Sequence, residues 1–226
     1  KVNIIKNISI MDNLGVQKKI MKKRKNNYMF KRGGSLSSDS DTDSEDTMIK
    51  QEENRVYFHA DVTRKNGFSL MECIRKAQEY VALRNIKNEF EKMNKIYLYI
   101  FSDGGEVFVG MNIADFILNS KVDIVTINEG CVASAGTIIS MAGKERYIRR
   151  NAYMLIHEIR SGVWGKYSEC QDDMDNNNIL MDNIKRFINE RCNSPKLAKK
   201  LNKVLKHDHL WNAEKCLKYN LVDKIV

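Results

Sequence analysis

Residues Gly130 to Gly143 read GCVASAGTIISMAG, and no other stretch narrows the chain's choices so far. A buried-looking run, Asp123 to Ile127, stops at Gly130; Ala133, Ser134, Ala135 and Gly136 follow, and then an apolar segment free of proline. That order predicts a strand, a tight turn and a helix. Small residues on both sides of Ser134 let the backbone turn sharply and let other segments approach, glycine being the most permissive. The serine hydroxyl is left at a helix start, where unpaired N–H groups and the helix dipole favour negative charge, so an oxyanion can be held there. The plainer reading is that Ser134 caps a helix, the ordinary task of a serine in such a turn. Partners elsewhere in the chain decide between the two.

The surrounding pattern alternates strands with helices. Val56, Tyr57 and Phe58 open a first strand near Arg55 that ends at Asp61. A helix follows Gly67, with Ser69 as its expected cap and Leu70, Cys73, Ile74, Ala77 and Val81 spaced by three and four. Ile96 to Phe101 (IYLYIF) is continuous and apolar, the pattern of a strand covered on both faces, and it runs into Ser102, Asp103, Gly104 and Gly105. A second helix carries Val109, Ile113, Phe116 and Ile117. After the Ser134 helix come short strands near Arg146–Ile148 and Tyr153–His157, the histidine standing at the strand's end. Then follow a long polar segment, a helix with Leu180, Ile184, Phe187 and Ile188 on one face, a break at Pro195, and one amphipathic helix bearing Leu197, Leu201, Val204 and Leu205. Asn212 caps a last short helix. Such alternation is the signature of an α/β layer fold.

Residues 1–53 read differently. A basic cluster, Lys18 to Lys25, is followed by a block from Ser35 to Asp46 in which serine and acidic residues alternate. Such a segment buries too little apolar surface to offset its chain entropy, and 1–53 reads as a disordered tail ahead of a domain over 54–226. The formal charge of +9 divides as +3 on residues 1–53 and +6 on 54–226. On the domain, charges of both signs are interspersed, which argues against a nucleic-acid groove. Five widely spaced cysteines without a CxxC pair read as reduced thiols. No run is long and apolar enough for a membrane helix, and the expectation is a soluble, intracellular protein of the cytoplasm or an organelle interior.

The strings SDGG (Ser102–Gly105), GCVASAG around Ser134, LIH ending at His157, and DHLWNAEKCLKYNLVD from Asp208 to Asp223 resemble the proteolytic subunit of the Clp protease, ClpP. The family's corresponding patterns are SPGG, a GxxAS(M/A)G turn, MIHQP, and a tail beginning D-x-(F/Y)-(L/M)-(S/T)-A. The interval from Gly105 to Gly136 aligns with the family without a gap, and the resemblance covers Arg55 to Val226. It implies a ClpP/crotonase-like α/β fold of repeated β-β-α units, with a helical handle protruding over residues 166–193. It further implies a serine endopeptidase without metal or cofactor, acting on polypeptides inside stacked homo-oligomeric, heptameric rings fed by a separate AAA+ unfoldase. The chain itself shows no GxxxxGK[ST] phosphate loop.

By the same resemblance Ser134 is the nucleophile, His157 the general base and Asp208 the residue that orients it, with the backbone N–H groups of Gly105 and Ala135 forming the oxyanion hole. Chemistry supports these types: a serine is a poor nucleophile until a histidine takes its proton, and the histidine needs a carboxylate to fix its tautomer. Plainer roles stay open at this point. His157 can be an ordinary histidine at a sheet end, Asp208 a cap for Leu210 onward, and Gly104–Gly105 an ordinary turn. His207, Asp208 and His209 form only a weak metal pattern, lacking a fourth ligand. Asp103 stands where the family has proline, Ile159 where proline follows the histidine, and Ala135 where methionine is usual. The alternatives are a silent, ClpR-type ring subunit, and acyl-CoA chemistry on the same fold.

Overall fold

The computed structural model describes residues 48–88 and 91–226. The basic cluster at Lys18–Lys25 and the serine-acid block at Ser35–Asp46 lie outside them. The first element, β1 (Met48–Glu52), falls inside the stretch that the sequence assigns to the tail. It pairs antiparallel with β2 (Arg55–His59), and Asn54 at the turn is stitched to the next strand, its side chain donating to Lys95 O at 2.9 Å and its carbonyl accepting from Tyr97 N at 2.9 Å.

From β2 the sheet runs parallel through β3 (Lys95–Ser102), β4 (Asp123–Ala133), β5 (Glu145–Ile148) and β8 (Lys224–Ile225). β3 corrects an expectation: its burial alternates rather than covering both faces. Ile96, Leu98 and Ile100 are fully buried, while Tyr97 and Tyr99 are half-buried and Phe101 is exposed. The helices pack on the Ile/Leu face. The other face carries rings, Tyr57 stacked on Tyr99 at 5.0 Å and His59 edge-on to Phe101 at 5.9 Å.

Helix α1 (Arg64–Lys87) is capped by Thr63, whose Oγ1 accepts from Asn66 N at 3.2 Å. Ser69, the expected cap, lies inside the helix and donates to the Lys65 carbonyl. The helix runs on through Gly67, where a Cβ would sit 2.6 Å from Val109 Cγ1; its absence lets α1 press against α2 (Val107–Leu118). α2 in turn lies on α3 (Ala135–Met141), with no room at Gly110 for more than a hydrogen against Ala135. Every residue of α3 is buried. Burying an aliphatic side chain contributes about 1.5–3 kcal/mol, so this helix is an integral part of the core.

Helix α4 (Tyr167–Cys192) takes in the long polar segment as well as the apolar one, and its 26 residues extend about 39 Å. Only Ile184, Ile188 and Cys192 are buried, so packing is densest over the C-terminal third, with Leu180 and Met181 partly buried against the core and the first turns mostly exposed. Glu169 caps its start by accepting from Lys166 N at 2.8 Å. The last turn is fastened to α3: Arg191 donates to the Met141 and Gly143 carbonyls at 2.8 and 2.6 Å, satisfying acceptors that a helix end leaves unpaired. The single helix expected over Leu197–Leu205 is two short ones, α5 (Pro195–Ala198) and α6 (Leu201–Leu205), which together bury Leu197, Leu201 and Leu205. Asn212 caps α7 (Ala213–Lys218), accepting from Lys215 N at 3.1 Å. Among the described residues no helix is long and apolar enough to cross a membrane.

Candidate active site

The site begins with a bend in β4. Ile100 of β3 pairs with Asn128, yet Ser102 pairs with Val132, so β4 carries two extra residues around Gly130, whose φ of 55° suits glycine. Before the bend β4 pairs with β5; after it, Cys131–Ala133 pair with β6 (Tyr153–Leu155). β6 then pairs antiparallel with β7 (Trp211–Asn212) in the register Tyr153↔Asn212 and Met154↔Trp211. Carried on two residues past β6, that register sets His157 opposite Asp208. Three segments far apart in sequence therefore end side by side.

Ser134 follows β4 directly and has φ 52°, ψ −124°, a conformation that a non-glycine residue holds only at a cost of about 1–3 kcal/mol when its surroundings impose it. The surroundings are explicit. Its N–H donates to Leu155 O at 2.9 Å, and its carbonyl accepts from Thr137 N at 3.0 Å and Thr137 Oγ1 at 2.6 Å. Gly104 lies against it so closely that a Cβ on Gly104 would stand 2.6 Å from Ser134 Cβ. Although Ser134 occupies the cap position of α3, its hydroxyl makes no capping bond. The ordinary reason for a serine in this turn does not operate.

The Gly104–Gly105 segment adopts φ of 96° and 143°. Val62 N donates to Gly104 O at 2.7 Å and Glu106 N to Val62 O at 2.8 Å, a parallel bridge in which the Gly105 N–H takes no part. A Cβ at Gly105 would meet Val62 O at 2.3 Å. Inside the turn, Ser102 Oγ accepts from Gly104 N at 3.2 Å. Asp103 is exposed, and its charge reaches Cys131, whose thiol is pushed up first by burial and then by that carboxylate.

His157 Nδ1 and Asp208 Oδ1 are 2.8 Å apart. With Nδ1 donating to the carboxylate, Nε2 is the nitrogen left free to take a proton. Asp208 also binds Arg160, whose Nη2 donates to Oδ2. Partial burial alone would raise the Asp208 carboxyl; the His157 hydrogen bond and the Arg160 charge outweigh it and hold the group below the ordinary carboxylate range. The capping role is filled by Asn212 instead. His207 and His209 stack on each other at 5.3 Å and form no metal-holding group with Asp208 among the described residues.

Of the residues expected from sequence, His157 and Asp208 are bonded, Ser134 stands one strand away, and Gly105 and Ala135 lie on either side of the Gly104–Ser134 contact. The Ser134 hydroxyl and the His157 ring are not hydrogen-bonded to each other. Sequence reasoning missed Arg160, Val62 and Thr137. Nothing in their spacing marks them, because each acts through a contact made only on folding.

Residues 50–226 match the family model for Clp protease. The chain is 35% identical over 133 residues to an ATP-dependent Clp protease proteolytic subunit of Streptococcus mutans, covering 58% of this chain and 68% of that protein. To the ATP-dependent Clp protease proteolytic subunit 2 of Tropheryma whipplei it is 30% identical over 154 residues, 66% of this chain and 83% of that one. A solved structure of a ClpP1 mutant from Listeria monocytogenes overlays with a TM-score of 0.64 at 20% identity, over 77% of this chain and 91% of that one, which establishes the shared ClpP/crotonase-like fold. The match spans the bent β4, the glycine turn, and the segments next to β6 and β7 that carry His157 and Asp208: the chain belongs to the Clp protease family.

Proposed function

We propose that the chain is a serine endopeptidase in which Ser134, His157 and Asp208 act together. Ser134 Oγ attacks the scissile carbonyl while His157 Nε2 takes its proton, and Asp208 steadies the imidazolium that forms. The N–H groups of Gly105 and Ala135 hold the oxyanion, each donor of this kind contributing about 3 kcal/mol in the transition state. His157 then gives the proton to the leaving amine, releasing the first product and leaving the acyl-enzyme. A water, deprotonated by the same histidine, hydrolyses that ester and restores Ser134.

The observation that carries this reading is the 2.8 Å bond from His157 Nδ1 to Asp208, formed beside a serine held in a strained turn whose hydroxyl makes no capping bond. The Ser134–His157 bond is open in this structure, and such bonds commonly close only with substrate in place. The relatives' names support polypeptide substrates and an ATP-dependent partner, here a separate AAA+ unfoldase, and family membership supports stacked homo-oligomeric rings that enclose the sites. The open Ser134–His157 bond is also what favours the competing reading, a silent ClpR-type ring subunit.

A fluorophosphonate probe on the purified, assembled chain separates them. The expected result is labelling that disappears in Ser134→Ala, on a particle of ring mass. An assembled wild type that takes no label would establish the silent subunit.

A further inference from the structure

Asp208 lies between α6 and β7 in a segment without regular structure, where a carboxylate held by one bond can rotate and exchange its oxygens. Here both oxygens are occupied. His157 Nδ1 holds Oδ1 and Arg160 Nη2 holds Oδ2, so two residues three apart on one loop grip the carboxylate from both ends. That loop is itself fastened. Glu158 N donates to Leu205 O at 2.8 Å and Ile159 N to Met181 Sδ at 3.3 Å, while Ser161 Oγ accepts from Asn177 Nδ2 at 2.7 Å. Arg160 thus projects from a stretch anchored on both sides, and its side chain crosses the surface to Asp208 with two thirds of its area in solvent.

Resting on the serine-peptidase reading, we infer that Arg160 is a positioning residue for the reaction: it locks the Asp208 carboxylate in the orientation that serves His157. The ion pair has a second consequence. A fixed cation next to the carboxylate weakens the field that Asp208 exerts on the imidazolium formed in the reaction. Other titratable groups on the segments holding this pair are Glu158 beside His157, Lys206, His207 and His209 around Asp208, and Asp173 on α4, which binds Ser161.

The test compares wild type with Arg160→Gln, Arg160→Ala and Arg160→Lys in the full chain. It measures the rate of fluorophosphonate labelling at Ser134 over about pH 5 to 9, and kcat and KM on a fluorogenic peptide. Arg160→Gln and Arg160→Ala are expected to lower the labelling rate and kcat about three- to fivefold with KM unchanged, the range of an exposed ion pair. In Arg160→Gln the acid limb moves to higher pH, because the opposing cation is gone. Arg160→Lys restores most of the rate and the acid limb. The inference is overturned if the Gln and Ala variants keep the wild-type rate and acid limb, or if all three variants, Lys included, lose rate with the limb unmoved, which is the mark of a merely structural loop contact. A wild type that takes no label at Ser134 is a different failure, that of the peptidase reading itself.

Discussion

The side of the candidate site that carries Ser134 is built from backbone, whereas the side that carries His157 and Asp208 is built from side chains. On the first, Gly104 and Gly105 approach Ser134 and Val62 at distances that leave no room for a methyl group, and main-chain bonds fix Ser134 from both directions. On the second, the aspartate is placed by two side-chain bonds in a segment between elements. Close main-chain packing cannot be retuned by degrees, because a packed interior resists even one added methylene. Side-chain bonds at a part-exposed site can be retuned, since each contributes about 1 kcal/mol and solvent competes for it. The first side should therefore answer substitution with collapse and the second with graded change.

Gly105→Ala is the harshest way to break that contrast. The added Cβ meets a carbonyl oxygen at 2.3 Å, from a backbone at φ 143° that alanine avoids. Urea unfolding should show a loss of about 3 kcal/mol or more, with Ser134 labelling abolished. A folded, active variant would mean that the glycine turn yields.

Asn128→Val sharpens the comparison from the opposite direction. Asn128 sits on β4 with no solvent exposure, and neither polar atom of its amide has a hydrogen-bond partner among the described residues. An orphaned buried polar group costs about 1–3 kcal/mol, so valine, suited to a central strand, should raise the urea midpoint by about 1 kcal/mol or more. A lower midpoint would show that a bound water pairs this amide.

Acid should act on the side-chain-built side. Because the folded Asp208 carboxyl is held below its unfolded value, the stability it contributes is present above the ordinary carboxylate range and is lost as pH falls through the folded value. Between wild type and Asp208→Asn, the stability difference should shrink steadily on acidification; a pH-independent difference would dissociate Asp208 from its ionic partners.

The smallest effect is chemical. Burial pushes the Cys192 thiol up to about 11 and the Cys216 thiol up to about 12, so a thiol reagent at about pH 8 should modify the half-buried Cys73, Cys131 and Cys170 first. Cys216 packs beneath β7 with its Sγ 3.5 Å from Trp211 O. If it reacts as fast as Cys131, the Asp208 side opens locally in the native state, and the contrast between the two sides is greater than the static contacts imply.

Much of this was legible before folding. The small-residue turn at Ser134, the SDGG turn, the helix face of Leu70, Ile74, Ala77 and Val81, and the cap at Asn212 all follow from local chemistry. The errors share one cause. Ser69 looks like a cap until the α1–α2 contact at Gly67 admits a longer helix, and Ile96–Phe101 looks doubly covered until the helices take one face only. Met48–Glu52 looks like tail until β2 offers it a pairing edge. Each was settled by a neighbour that the local sequence does not contain.

By itself the amino-acid sequence determined most of the alternation of strands and helices and the sharp turn at Ser134, since these depend on periodicity and backbone preference over a few residues, while the candidate site residues came from motifs that resemble a family. Only the tertiary structure decided that His157 meets Asp208, 51 residues away, that the Ser134 hydroxyl is spared from capping, and that Arg160 takes the second carboxylate oxygen. The physical reason is register. Side chains are brought into hydrogen-bonding range by how β4, β6 and β7 align, and that alignment is selected by the packing of the whole sheet and its helices.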